Sequence, residues 1–96
     1  MNTVTIVATV IVKEDAVEAA KKELLKMIEP TRQEAGCIEY RLHQDTCDPT
    51  VFVFYENWKD TESFEQHMET SHFKQYAAAV SDLLVSKTVH RMACIA

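Results

Sequence analysis

Along residues 3–13 nearly every position is Val, Ile, Ala or Thr, a composition that favours an extended strand. Thr5, Val7, Thr9 and Ile11 alternate with Val4, Ile6, Ala8, Val10 and Val12, so both faces of that strand carry apolar side chains. The period then changes. Val17, Ala20, Leu24, Met27 and Ile28 recur at helical spacing and predict an amphipathic helix over 15–34. Asp15 followed by Glu18 resembles a capping box. Pro30 has no N–H to donate and should kink that helix or end its regular part. Gly36, the one glycine of the chain, marks its stop.

Residues 37–46 alternate again, with Ile38, Tyr40 and Leu42 on one side and Glu39, Arg41, His43 and Asp45 on the other. Asp48-Pro49-Thr50 is a turn signal. Residues 51–58 follow as a densely apolar strand, completing a hairpin. Asp60 or Thr61 caps a second helix, which carries Phe64, His67 and Met68 on one stripe. Thr70-Ser71 interrupts it. Ser71 can cap a further segment in which Phe73, Tyr76, Ala77, Val80 and Leu84 keep the helical period. Residues 87–95 read as a closing strand.

The order is β-α-β-β-α-β with the second helix in two pieces. That is the ferredoxin-like α+β pattern, an antiparallel sheet with helices on one face. The 96 residues form one domain, 1–96. A chain this short buries only about 60–65% of its unfolded surface. Helices cover one sheet face, and the other face is apolar too. A homodimer packed sheet against sheet is therefore expected.

Composition removes several classes of function. A net charge of −5, with ten scattered Lys and Arg, argues against nucleic acid and anionic membrane as partners. Cys37, Cys47 and Cys94 are odd in number and contain no CxxC pair, which suits free thiols in a reducing cytoplasm. The leading residues 1–12 have neither a basic flank nor a small-residue cleavage site and are too short to span a bilayer. One glycine excludes a phosphate-cradling loop. His43, His67, His72 and His90 lack HExxH or paired Cys/His spacing, so no metal site is expected. No flavin or nicotinamide motif occurs, and no cofactor is expected.

What is left is one constellation. In the strand 51–58, Phe52, Phe54, Glu56 and Trp58 share a face. A carboxylate among three aromatics is costly there unless something pairs with it. His67 lies on the apolar stripe of the next helix, and an imidazole titrates near neutral pH. A Glu56–His67 pair would orient the ring and make His67 a general base. The same pair would serve equally as a structural bridge. Trp58 could wall a pocket or fill a core. Tyr40, on the neighbouring strand, could donate to a ligand or pack inside. His72 lies at the start of a helix, and Phe73 beside it is aromatic.

Glu34-Ala35-Gly36-Cys37-Ile38-Glu39-Tyr40, Asp48-Pro49, Phe52 to Trp58, His67 and Thr70-Ser71-His72-Phe73 together resemble the antibiotic biosynthesis monooxygenase (ABM) domain family. The resemblance runs in register over about 34–76. It implies a dimeric α+β barrel in which the C-terminal strand reaches the partner. It also implies a pocket between helices and sheet in each subunit. Members include cofactor-independent oxygenases of quinols and aromatic polyketides, haem-degrading enzymes and an isomerase of a phosphorylated signal sugar. The haem-degrading relatives carry Trp where this chain has His67, and Asn near Ala8. Polyketide-oxidising relatives can carry an amide where it has Phe54.

The resemblance thus implies oxidation of a small quinol or phenol with O2. His67, Glu56 and Trp58 would be catalytic, with Tyr40, Phe54, His72 and Phe73 against the substrate. Two alternatives stay open. One is isomerisation of a small, phosphorylated dicarbonyl, and the other is a non-catalytic dimer that binds a small ligand.

Overall fold

The computed structural model describes residues 3–96; Met1 and Asn2, the start of the leading segment, lie outside the described residues. Strand β1 (Val4–Val12) is followed by a short 3-10 turn, Glu14–Ala16, and helices α1 (Val17–Leu25) and α2 (Ile28–Arg32). Strands β2 (Cys37–Gln44) and β3 (Val51–Trp58) form the hairpin. Helices α3 (Thr61–His67) and α4 (Ser71–Val80) then lead to β4 (Leu84–Met92). The four strands make one antiparallel sheet in the order β2-β3-β1-β4. This is the ferredoxin-like α+β fold expected from the pattern.

The period-2 rule sets what the sheet buries. Ile6, Ala8, Val10 and Val12 of β1 face the helices, as do Phe52, Phe54, Glu56 and Trp58 of β3. From the helices, Ala20, Leu24 and Met27 pack down on them beside Phe64, Tyr76 and Val80. Each fully buried large side chain, such as Trp58, Phe52 or Leu24, contributes about 1.5–3 kcal/mol over leaving it in water. Ala8 is paired with Phe54 on one side and Val89 on the other. It is the smallest side chain of that inner row and leaves space above it.

Several local expectations are corrected. The long helix breaks at Lys26 and Met27, ahead of Pro30, because Pro30 cannot donate to the carbonyl four residues back. Asp15 makes no capping bond; it lies inside the 3-10 turn. Thr70, not Ser71, caps α4, accepting from the Phe73 N–H at 3.2 Å. Asp60 caps α3 through the Ser63 N–H at 2.8 Å, as one of the two expected candidates. Ile38 is 60% exposed because a bulge between Cys37 and Glu39 puts it out of phase with Tyr40. The last strand runs earlier than 87–95, since pairing already begins at Val12 with Leu84.

Gly36 is also explained differently. Its φ is not positive, so no left-handed cap is involved. A Cβ there would collide with Cβ and Oγ of Ser63 in the first turn of α3. The glycine lets the turn after α2 touch α3 backbone-close, and its carbonyl accepts from the Lys59 N–H at 2.9 Å. We expect Gly36→Ala to cost about 1–3 kcal/mol in urea unfolding through overpacking. Adding Ser63→Gly should return part of that loss, and an additive double variant would disprove the contact as the cause.

Candidate active site

The site begins with a buried histidine that has somewhere specific to point. His67 ends α3 and is 1% exposed. Its ring sits 4.8 Å from that of Trp58 and edge-on to Phe73 at 5.2 Å and Tyr40 at 5.7 Å. Its partner is Glu34, in the turn between α2 and β2, and not Glu56. Nδ1 of His67 and Nε2 of His72 each lie 2.7 Å from the same Glu34 oxygen, Oε2. An ionised carboxylate only accepts, so both imidazoles turn an N–H toward it. That leaves Nε2 of neutral His67 as an acceptor, and among the described residues it has no hydrogen-bond partner. Burial holds His67 below the ordinary imidazole pKa, against the opposing pull of Glu34.

Glu56 has its own arrangement. It is 3% exposed on β3 and accepts from the indole N–H of Trp58 at 2.9 Å. Desolvation pushes its pKa up to about 7, partly offset by that hydrogen bond and by the charge of Lys87. Two carboxylates a few side chains apart thus meet opposite conditions. Glu34 faces two N–H donors, and Glu56 faces one donor within aromatic walls. Burial also raises the phenol of Tyr40, and pushes that of Tyr76 to about 12, with the Glu56 charge adding to both. The Cys37 thiol is pushed to about 11, mainly by burial and by Glu34, so it stays an unreactive thiol at neutral pH.

Between the helices and the sheet, over Ala8, lies a cavity of about 40 Å³. It is lined by five of the seven side chains singled out from the sequence: His67, Glu56, Tyr40, Phe54 and Phe73. Trp58 is fully buried behind Glu56 and does not line it. His72 lies outside it as well, against a separate hollow between α1 and α4, and meets the site only through Glu34. Sequence reasoning passed over Glu34 and Lys87. Glu34 stood in the first motif quoted for the family resemblance, yet nothing in its spacing announced a bond to residues 33 and 38 positions away. Lys87 lines the cavity from β4, with Nζ 5.1 Å from the Phe73 ring centre and 5.8 Å from that of Tyr76.

A larger hollow of about 490 Å³ lies along edge strand β2, lined by Arg32 and 37–41. Its carboxylate, Glu39, is held by Arg41 and by the amide of Asn57. Glu34, His67 and His72 also offer one donor atom each within 4.8 Å of one another, the two-His-one-carboxylate set of a divalent metal. Their 2.7 Å contacts are those of hydrogen bonds, and an ion would have to displace both shared protons.

The raised Glu56 and lowered His67 give stability an unusual pH dependence. Folded Glu56 keeps a proton that the unfolded chain releases above about pH 4.5, so its contribution is lost as pH rises through 7. Over the full window this amounts to about 3 kcal/mol. His67 acts in the other direction, losing stability as the pH falls through 6.5 and below. From pH 6.5 to 8 the Glu56 slope outweighs what remains of the opposite His67 slope. We expect the urea midpoint to fall over that interval and Glu56→Gln to abolish the fall. A midpoint that rises from pH 6.5 to 8 would contradict the assignment.

The fold recurs in known proteins. The family model for antibiotic biosynthesis monooxygenase matches residues 3–79. Protein PA3566 of Pseudomonas aeruginosa is similar in structure, with a TM-score of 0.95 and 32% identity over 100% of this chain and 97% of its own. Rv0793 of Mycobacterium tuberculosis, which carries a provisional monooxygenase name, is 32% identical over 84% of this chain and 79% of its own length. Its structure superposes with a TM-score of 0.92. The uncharacterised protein sll1783 of Synechocystis is 35% identical over 57 residues, 59% of this chain but only 39% of that protein. A matched family model over most of the chain, together with these relatives, shows that the chain belongs to the antibiotic biosynthesis monooxygenase family.

Proposed function

We propose that the chain is a cofactor-independent monooxygenase that oxidises a small quinol or phenol with O2. One observation carries this reading: Glu34 holds His67 by Nδ1 and leaves Nε2 as a base beside a cavity walled by aromatics. In this reading Nε2 takes the phenolic proton, and Glu34 stabilises the imidazolium that results. The substrate anion, now electron-rich, gives an electron to O2 without a cofactor. Tyr40, Phe54 and Phe73 keep water away and present ring faces to a planar substrate. Glu56, with Trp58 behind it, supplies a second proton-carrying group whose pKa lies near the working pH.

The size of the cavity constrains how a substrate enters. About 40 Å³ is little more than one water's share of liquid volume and far below the ~300 Å³ of ordinary ligand pockets. The reacting edge of a ring, or O2, fits the closed part. The rest of the substrate occupies the mouth after flexible Met68 and Lys87 swing aside.

The test is O2 uptake with a panel of dihydroxynaphthalenes, compared with protein-free autoxidation. His67→Ala should lower kcat/KM by about 10²–10⁴-fold. Uptake no faster than autoxidation throughout the panel would exclude the reading. Deuterium exchange into a dione without O2 uptake would point to the isomerase alternative.

We also infer a homodimer through the outer sheet face. Tyr55 is 38% exposed there, with Val7, Ile11 and Val53 partly exposed around it. Light scattering should give twice the 11.0 kDa chain mass, and Val53→Asp should shift the equilibrium to monomer. A monomeric parent chain would rule this out. Among the described residues no helix is long and apolar enough to cross a membrane, and the three cysteines are free. Exposed free thiols at Cys47 and Cys94 suit a reducing cytoplasm.

A further inference from the structure

We propose that the cavity takes its ligand as a planar aromatic anion, and that Lys87 of β4 is the cation that meets the ligand's charged oxygen. The inference deepens the reading above, because an enzyme acting through a substrate anion gains from a cation at the mouth. Its test needs no turnover.

Lys87 is paired with Val10 and Val89 with Ala8, so both side chains turn to the helix side of the sheet, beside the cavity. The ammonium group lies over the rings of Phe73 and Tyr76. Among the described residues it has no hydrogen bond and no carboxylate within the 4.0 Å of an ion pair. Arg91, two steps along the same strand face, does have one: Glu65 at 3.8 Å. Partial burial lowers the pKa of Lys87, and Glu56 is the one carboxylate that counteracts this.

Glu56 is a weak counter-ion. It is bound to Trp58, and near neutral pH it holds a proton for much of the time. His67 is neutral there as well, for the reason of burial given above. Among the described residues Lys87 is the cation on the cavity wall, and no carboxylate is paired with it. The chain as a whole is acidic, at −5, so overall composition does not account for a positive mouth. A partly desolvated ammonium over two ring faces is incompletely compensated by cation–π attraction. A ligand oxyanion completes it, and the same rings stack on the ligand's plane.

The ligand's charge can be fixed, as in an aryl carboxylate, or made on binding, as in a phenolate. Calorimetric titration of the full chain with 2-naphthoate and with 2-naphthylmethanol, its neutral counterpart, tests the fixed case. The ionised band of bound 4-nitrophenol tests the induced case. We expect naphthoate to bind at least about tenfold more tightly than the alcohol, as a charge-assisted contact provides. Lys87→Met should make the two equal, Lys87→Arg should keep the preference, and Arg91→Met should change it by less than about twofold.

If Lys87→Met does not fold, judged by circular dichroism, Lys87→Gln is held to the same criterion. A larger ionised fraction of nitrophenol on the parent chain than on the Lys87 variant also supports the proposal. Equal binding of both naphthyl ligands, no binding of either, or a preference that survives loss of the cation overturns it. Missing O2 uptake with the charge preference intact would refute only the oxygenase reading.

Discussion

One carboxylate oxygen holds the site together. Oε2 of Glu34 receives an N–H from the end of α3 and another from the first turn of α4. It sits in a turn that is itself closed by backbone bonds to Thr31 and Cys37. Three separate pieces of chain therefore meet at one atom. The bonds are short because the acceptor is charged, and they matter because His67 is out of water. Without that acceptor the buried imidazole would have no reason to keep one tautomer, and its free nitrogen would have no defined direction.

The second organising fact is the difference between two acids. Glu34 has strong donors, whereas Glu56 lies in an apolar wall with one indole N–H to bind. Environments that separate two like groups in this way allow one to stay an anchor while the other exchanges protons near neutral pH. Trp58 touches Glu56 through its indole N–H and does not line the cavity.

The elements were legible because β1 and β3 are dense in strand-forming apolar residues, β2 alternates, and helical spacing is clear in α1 and α4. Of the aromatic residues on alternate positions of β3, Phe54 lines the cavity, while Phe52 and Trp58 fill the core. Three features were hidden. The Glu34 contact joins residues more than thirty positions apart, and no local pattern encodes it. Gly36 looked like a helix stop because a glycine after a helix usually is one, yet here the constraint is a neighbour's side chain. Ile38 kept the apolar alternation of its strand on paper, and a bulge moved it to solvent. Glu56 was rightly seen as a buried acid in need of a partner. The partner was two residues away on the same strand, because side chains i and i+2 share a face.

The mouth of the cavity stands on β4, a strand bonded to a neighbour along only one side. His67 and Glu56 are instead embedded in the packed interior, where a change of one methylene is felt throughout, and Glu34 stands at its edge. The buried imidazole and acid are thus separate from the surface residues that border the cavity. Residues such as Lys87 and Val89 can be exchanged with little damage to the core beneath them. A fold built this way can be redirected from one small molecule to another by rewriting its border while the interior stays as it is.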